Sequence, residues 1–345
     1  MKVSVIGAGH GGQAMAGYFA YNNFETILYN RSKTVIDDID MNNGITLSGY
    51  INAKITGITL SNSLEYTLKN SKLIMICIPA NVHEDLAANM APYINENHVI
   101  VINPGRTLGA YNFKKYLKKY GCKHNPLIAE TDTFILTSRK IKNGFSEIIS
   151  LKNEVYIASD TIENTEKIYD LIVKAFPMIK KAKTYIYTSL ANVGAIFHPI
   201  PAIFNIGKIE NKESYLHYKE GITPSICKMM EKLDAERIEL AKRLGEEVPS
   251  AQQWLKNVYG SKGDGLYETL QNTEAYSKVL APTEISTRYI YEDITTGIVP
   301  MYCIAKAIKS NHEILELIVV LASEMFDYDF IANGRNDILD LVKYM

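Results

Sequence analysis

The chain has 345 residues, of which 47% are hydrophobic and 22% charged, values typical of a soluble globular protein with about two domains. A formal net charge of −1 excludes a general attraction to nucleic acid or an anionic membrane, so neither is an expected partner. No apolar run is long enough to span a bilayer. The four scattered cysteines and the lack of a signal-peptide pattern favour a cytoplasmic protein without a metal site.

The first residues combine a strand pattern, a glycine-rich turn and a helix pattern. A β-branched run at residues 2–6 leads into the turn, and an Ala-rich stretch at residues 13–20 follows it. In this context the G-x-G-x-x-G spacing predicts a dinucleotide site. The predicted cofactor contacts of the turn are Gly7, Ala8, Gly9, His10, Gly11 and Gly12.

Each of the three spaced glycines has a mechanical reason. Gly7 permits the tight turn, Gly9 lets a pyrophosphate approach the backbone, and Gly12 lets the helix pack close to the strand. The helix N-terminus offers N–H groups and partial positive charge to phosphates. The pattern leaves two alternatives open, a turn without a ligand and a nucleotide-like ligand such as S-adenosylmethionine.

Strand-like and helix-like segments alternate through the first half, which is typical of a doubly wound parallel sheet. From about residue 188 the pattern is helical, so we predict an α/β Rossmann domain over 1–187 and an all-α domain over 188–345. The predicted strands are 26–30, 73–78, 98–103, 126–130, 154–158 and 184–187. The predicted helices are 83–90, 111–120, 226–244, 251–258, 273–280 and 300–326.

The end of the second strand bears on the choice of cofactor. It has Asn30, Arg31 and Ser32 in place of the carboxylate that binds the ribose of NAD. An arginine with two hydrogen-bonding neighbours favours the 2′-phosphate of NADP, with NAD as the alternative. Later strand ends at the same edge of the sheet add the predicted contacts Ile78, Pro79, Ala80, Asn103, Pro104 and Gly105.

The helical half offers candidates for proton transfer and for carboxylate binding. His198 precedes Pro199 in an otherwise apolar segment, and Arg288 and Asp293 lie shortly before a predicted break at Gly297. An aspartate can hold a histidine in the tautomer needed for proton transfer, and an arginine can bind a carboxylate through two hydrogen bonds. The residues alone leave open a buried structural histidine and a surface ion pair.

These patterns together resemble the opine dehydrogenase family, which includes octopine and nopaline dehydrogenases, over nearly the whole chain. The glycine-rich turn is common to many folds, whereas the later segments are more specific. They are Ala129-Glu130-Thr131-Asp132-Thr133, Phe197-His198-Pro199, Gly207-Lys208-Ile209-Glu210, Tyr218-x-Glu220-Gly221, Asp234-x-Glu236-Arg237 and Arg288-Tyr289-x-x-Glu292-Asp293 with Gly297-x-Val299-Pro300.

The resemblance implies a reductive condensation, in which NAD(P)H reduces the imine formed by an α-keto acid, by family habit pyruvate, and an L-amino acid. It implies that His198 is the general acid/base, that Asp293 orients it and that Arg288 binds a carboxylate. Glu130, Thr131 and Asn192 are further candidate substrate contacts. The apolar stretch 314–321 is a candidate for either the core or the face of a homodimer.

One position departs from the family pattern. The family often has a substrate-contacting asparagine four residues before the histidine, where this chain has Gly194. We interpret the missing side chain as room for a larger group or a water. Two other functions stay open: a 2-hydroxyacid or ketopantoate-type reductase, whose usual lysine has no clear counterpart here, and a non-catalytic NADP-binding protein.

Overall fold

The computed structural model describes residues 2–338, which divide into two compact units. The first unit comprises residues 2–105 with Gly109–Tyr185, and the second comprises Arg106–Leu108 with residues 186–338. The division therefore falls after Tyr185 rather than after residue 187, and a three-residue segment from the first half belongs to the second unit. No helix within residues 2–338 has the length and apolar character needed to cross a membrane.

The first unit is built from apolar strands that alternate with helices. Its strands are β1 (Lys2–Ile6), β2 (Glu25–Tyr29), β3 (Ile45–Gly49), β4 (Ala53–Ile55), β5 (Thr59–Ser61), β6 (Leu73–Ile76), β7 (Val99–Ile102), β8 (Leu127–Thr131), β9 (Leu136–Lys142), β10 (Phe145–Leu151), β11 (Val155–Ser159) and β12 (Ile179–Lys181). Its helices are α1 (His10–Tyr21), α2 (Lys33–Met41), α3 (Leu64–Lys69), α4 (His83–Met90), α5 (Gly109–Lys119) and α6 (Ile162–Ile172).

The main sheet has eight strands in the order β12-β11-β8-β7-β6-β1-β2-β5. All neighbours are parallel except β11 and β8. Alternate residues of β6 enter two cores, because Met75 packs in the core that contains α1 and Ile76 in the core that contains α5. The predicted doubly wound sheet is confirmed. Its strand order reverses beside β1, where open α/β sheets bind ligands.

A second, smaller sheet was not predicted from the sequence. Its order is β4-β3-β10-β9, with β9 and β10 forming an antiparallel hairpin. Leu47 and Ile148 pack in the core that also holds α1, and a side chain on Gly17 of α1 would lie 2.9 Å from Leu47. The hairpin has lysines and serines between its buried residues, so its sequence resembles a surface loop.

The second unit is helical, as predicted, and several buried charged side chains fix its helices. Glu236 accepts hydrogen bonds from the N–H groups of Ile314 and Leu315 at 2.8 and 2.9 Å. A π-helical turn at Ile294–Ile298 joins two of the helices. The helices are α7 (Tyr185–Leu190), α8 (Gly194–Phe197), α9 (Pro199–Phe204), α10 (Ile206–Glu210), α11 (Pro224–Arg243), α12 (Ala251–Tyr259), α13 (Gly265–Gln271), α14 (Arg288–Asp293), α15 (Val299–Ala307) and α16 (Glu313–Phe326).

Three predicted elements are wrong. The predicted strand 184–187 is the start of α7, because its alternating aromatic and β-branched residues fit either structure. The predicted helix 273–280 is one 3-10 turn at Glu274–Tyr276, followed by an isolated bridge from Leu280 to Leu216. The predicted helix 300–326 is interrupted, since Lys309 adopts a left-handed φ of 56° between α15 and α16.

Candidate functional site

The glycine-rich turn has the form that a bound pyrophosphate needs. Gly7 has a φ of 102°, and a Cβ there would overlap the side chain of Ile78. A Cβ on Gly12 would overlap the carbonyl oxygen of Gly7, so α1 can begin directly against the turn only without one. A Cβ on Gly9 would meet no atom within 4 Å. The open space therefore lies at the glycine where the phosphates approach the backbone.

Two contacts brace this turn, one made by Phe134 and one by the predicted cofactor contact His10, and neither contact was predicted. The ring of Phe134 packs where a side chain on Gly11 would stand. The ring of His10 accepts a hydrogen bond through Nδ1 from the backbone N–H of Lys140 at 3.0 Å. Both contacts come from the region of the β9–β10 hairpin, which therefore holds the first turn of α1 in place.

The side chain of Asn30, directly after β2, forms hydrogen bonds on both sides of the strand end. Asn30 accepts a hydrogen bond from the N–H of Ala8 at 3.1 Å and donates one to the carbonyl of Ser32 at 3.3 Å. Arg31 and Ser32 are exposed. The amide of Asn30 thus ties the end of β2 to the glycine-rich turn, and Arg31 is accessible to a ligand.

The other predicted cofactor contacts have mixed positions. Ile78 packs against Gly7, Pro79 is exposed, and Ala80 begins a 3-10 turn. After β7, Asn103 accepts hydrogen bonds from the hydroxyl of Thr131 at 2.9 Å and the N–H of Ile135 at 3.2 Å. These contacts hold the loop that contains Pro104.

Two predicted substrate contacts of the first unit have internal hydrogen-bond partners. Glu130 is fully buried, and its carboxylate accepts the N–H of Ala110 at the start of α5 at 2.7 Å. A Cβ on Gly105 would stand 2.5 Å from Glu130. Thr131, also fully buried, donates to Asn103. Their described contacts support the loop after β7, and none of these contacts indicates a substrate.

In the second unit, the chain geometry places His198 between two short helices. Proline at the first position of α9 has no N–H to donate, and the histidine before it joins α8 to α9. Asn192 does not lie in a helix. Its side chain accepts the N–H of Gly194 at 2.9 Å at the start of α8, so its described bond is structural.

His198 and Asp293 form the predicted pair. The ring Nδ1 lies 2.8 Å from Oδ2 of Asp293, whose side chain is fully buried. Asp293 ends α14, and the π-helical turn begins at the next residue. A side chain on Gly297 in that turn would lie 2.9 Å from Cβ of Ala195, so this glycine lets the turn pack closely on α8.

A third charged residue, Arg106, contacts Asp293, and this contact was not predicted. Its Nη1 lies 2.9 Å from Oδ1 of Asp293, and its Nε donates to Glu292 at 3.2 Å. A Cβ on Gly194 would come closer to the Arg106 guanidinium than real Cβ contacts allow. The space that we interpreted as room for a larger group or a water is therefore filled by Arg106, which corrects that expectation.

Aromatic side chains surround the ring of His198. Tyr289 stacks on it with centroids 4.2 Å apart, and the hydroxyl of Tyr218 lies 3.1 Å from Nε2. An ionised Asp293 only accepts hydrogen bonds, so the neutral ring carries its proton on Nδ1. Nε2 is then the acceptor that faces the tyrosine hydroxyl, which donates.

Burial and charge act on these groups in opposite directions. Burial lowers the pKa of His198 below its ordinary value; Asp293 opposes this shift, and the charges of Arg288 and Arg106 add to it. Although burial alone raises the pKa of Asp293, the charge of Arg106 and then that of His198 hold it below the usual range. At neutral pH the pair is therefore an ionised aspartate bound to a neutral imidazole.

Arg288, the predicted carboxylate-binding residue, is exposed at the start of α14. Its guanidinium lies 5.7 Å from the ring centroid of Tyr289, the same ring that stacks on His198. No carboxylate within residues 2–338 forms an ion pair with it. The arrangement provides an accessible cation close to a proton donor and acceptor.

Two family descriptions match the chain. One, NAD/NADP octopine/nopaline dehydrogenase, alpha-helical domain, matches residues 181–326. The other, NAD-dependent glycerol-3-phosphate dehydrogenase N-terminus, matches residues 2–105. The chain is 32% identical over 336 residues to the opine dehydrogenase of Arthrobacter sp. (strain 1C), covering 96% of this chain and 92% of that protein.

Solved structures share the fold. Octopine dehydrogenase in complex with NADH and agmatine superposes with a TM-score of 0.78 at 18% identity, covering 97% of this chain and 94% of that one. Yersinopine dehydrogenase with NADP+ bound gives 0.75 at 13% identity, covering 99% and 97%. The resemblance and the predicted pairing of a Rossmann-like domain with a helical domain are confirmed. This chain belongs to the opine dehydrogenase family, NAD(P)-dependent oxidoreductases that act on CH–NH donors.

Proposed function

We propose that this protein is an NADP(H)-dependent opine dehydrogenase that condenses a small α-keto acid, pyruvate first among them, with the amino group of an L-amino acid. The single observation that carries the proposal is the 2.8 Å contact between His198 Nδ1 and the buried Asp293, beside the accessible cation Arg288. Solved octopine dehydrogenase structures that contain NADH with pyruvate or with L-arginine support the choice of substrates.

The reaction needs proton transfers that this pair is suited to make. The amine adds to the keto carbon, water leaves, and the resulting imine takes up a hydride and a proton to give a secondary amine dicarboxylate. A neutral His198 accepts a proton on Nε2 during addition of the amine and returns it when the hydroxyl group leaves. Asp293 stabilises the imidazolium formed between these steps.

The two cations of the site have different partners. Arg106 is buried against Glu292 and Asp293, so it is committed within the protein. Arg288 is exposed and has no ion pair within residues 2–338, so it is the group we assign to a substrate carboxylate. A guanidinium binds a carboxylate through two parallel hydrogen bonds, which fixes the position of the carbon next to it.

The glycine-rich turn and the first turn of α1 would hold the cofactor pyrophosphate, since a Cβ is excluded at Gly7 and Gly12 and space is open at Gly9. When bound, NADPH supplies the hydride. The proposed preference for NADP rests on the lack of a carboxylate at the end of β2, where Asn30 binds the N–H of Ala8, and on exposed Arg31, which we assign to the 2′-phosphate. We expect Arg31→Gln to lose most of the preference for NADPH over NADH.

The test is a matrix of NADPH oxidation rates across pairs of keto acids and L-amino acids. We expect turnover only when both organic substrates are present, with a product whose mass equals that of the secondary amine. Turnover with a carbonyl compound alone would establish the hydroxyacid or ketopantoate-type reductase instead. Cofactor binding without turnover of any pair would favour the non-catalytic alternative.

A further inference from the structure

We propose that Arg106 is a positioning residue that sets the proton affinity of the His198–Asp293 pair, and that Gly194 lacks a side chain in order to admit it. The inference rests on the proposed function only for its kinetic test. It assigns a role to a residue that neither the predicted site nor the family resemblance includes.

Each carboxylate oxygen of Asp293 faces a nitrogen of another side chain. One oxygen faces His198 at 2.8 Å, and the other faces Arg106 Nη1 at 2.9 Å. The Arg106 side chain is 8% exposed and that of Asp293 0%. In this buried setting the guanidinium fixes the rotation of the carboxylate, and the carboxylate in turn fixes the ring of His198.

This arrangement requires a residue without a side chain at position 194. A Cβ at this position would overlap Nη1 of Arg106 and would lie 3.2 Å from Oδ1 of Asp293. A side chain at position 194 and the guanidinium therefore compete for the same space. In this chain the arginine occupies the place where the resemblance leads us to expect an asparagine.

The backbone around Arg106 is held in a conformation that non-glycine residues rarely adopt. Arg106 has a φ of 60° and Leu108 a φ of 58°. Thr107, between them, donates its N–H to Thr296 at 3.1 Å, and its carbonyl accepts a bond from Arg335 at 2.7 Å. A left-handed segment persists only where its surroundings fix it, and such positions cluster at functional sites.

The charge arrangement explains what Arg106 does for the reaction. Glu292 and Asp293 place two buried carboxylates near His198, and Arg106 forms an ion pair with each. Without this cation Asp293 and the imidazole of His198 would each bind a proton more tightly. The charged and titratable groups around His198 are Asp293, Glu292, Arg106, Arg288, His217, Tyr218 and Tyr289.

The experiment compares pH profiles of opine oxidation, which requires the unprotonated pair. We expect Arg106→Ala to move the acidic limb of kcat upward by about one pH unit, with unchanged KM for NADP+. Gly194→Ala should give a smaller shift in the same direction, and it should add nothing in the Arg106→Ala background. Arg106→Lys should restore part of the wild-type pH profile, since lysine keeps the positive charge but lacks the planar guanidinium that can contact two carboxylates at once.

Arg243→Gln is the matched control, because Arg243 is an exposed arginine of the same unit, paired with Glu239 at 3.1 Å. It should leave the pH profile unchanged. A wild-type profile in Arg106→Ala, additive shifts in the double variant, or a raised KM for the keto acid without a pH shift would overturn the proposal. If Arg106→Ala does not fold, Gly194→Ala and Arg106→Lys still decide between these results.

A second readout separates this proposal from the proposed function. The imidazole C2 proton of His198, identified by its loss in His198→Asn, can be titrated by NMR without any substrate. Its pKa should rise in Arg106→Ala even if no keto acid and amino acid pair is turned over. An inactive wild type would therefore contradict the proposed function, whereas an unchanged His198 titration would contradict the role of Arg106.

Discussion

The two units present their functional groups in opposite ways. In the first unit the site is mainly backbone, a turn in which Gly7 and Gly12 exclude side chains and Gly9 leaves space. In the second unit the site consists of side chains. Asp293 contacts both Arg106 and His198, which lie far apart in the chain. A site made of backbone appears in the sequence as a local pattern, whereas a side-chain cluster has no such local signature.

The largest effect is expected from a substitution that disrupts the glycine-rich turn of the first unit. Gly12→Val adds a branched side chain where even a Cβ overlaps the carbonyl oxygen of Gly7, so α1 must move away from the turn. We expect loss of NADPH binding, measured by quenching of protein fluorescence or by calorimetry. Gly207→Ala is the control: Gly207 is an exposed residue of α10 without a left-handed φ, and its Cβ would meet nothing within 4 Å. Tight NADPH binding by Gly12→Val would contradict the role of the turn.

The next largest effect is expected from a substitution that changes only the His198–Asp293 pair of the second unit. Asp293→Asn keeps the shape but removes the charge that stabilises the imidazolium, so we expect kcat to fall by about 10²- to 10³-fold. NADPH affinity should stay unchanged, which distinguishes this variant from Gly12→Val. Asp264→Asn, at the start of α13, is the control and should keep wild-type kcat. Loss of cofactor binding in Asp293→Asn would show that the two sites are not separable.

A smaller effect is expected at Arg288, and it will show which substrate carboxylate this residue binds. Arg288→Gln removes the accessible cation, and the loss of a charged hydrogen bond should raise the KM of the keto acid or of the amino acid by about 10- to 100-fold. Arg288→Lys should recover part of this loss. Steady-state kinetics with each substrate varied in turn will show which carboxylate Arg288 binds. An unchanged KM for both substrates would remove Arg288 from the site.

The smallest effect concerns the hydroxyl next to His198. Tyr218→Phe removes one hydrogen bond to Nε2 but keeps the ring, which stacks on Tyr276 with centroids 3.9 Å apart. A neutral hydrogen bond contributes about 1 kcal/mol, so we expect a change in kcat of about five-fold. Tyr267→Phe, an exposed tyrosine, is the control. A loss in Tyr218→Phe as large as that in Asp293→Asn would give the tyrosine a direct part in proton transfer.

The same contrast explains what the sequence could predict. The central strands β1, β6 and β7 are continuous apolar runs and were found within a few residues of their bounds. The β9–β10 hairpin was missed because its register depends on pairing with β3. The residues alone offer His198 and Asp293 only as candidates, and the family resemblance assigns their roles, because their spacing in the chain carries no signal of a 2.8 Å contact.

The role of Arg106 was not predicted, although the residue directly follows three predicted cofactor contacts in a strand end expected to line the cofactor cleft. Its one signal was indirect, the missing side chain at Gly194. The sequence shows that a side chain is absent there but not which group fills the space. Only the folded chain shows that this group is a guanidinium from residue 106.

The most direct test of the account is His198→Asn, assayed for NADPH oxidation with keto acid and amino acid together and, in the same preparation, for NADPH binding. We expect kcat to fall by about 10²- to 10⁴-fold while the dissociation constant of NADPH is unchanged. Wild-type turnover in this variant would contradict the claim that the imidazole of the helical unit carries the proton.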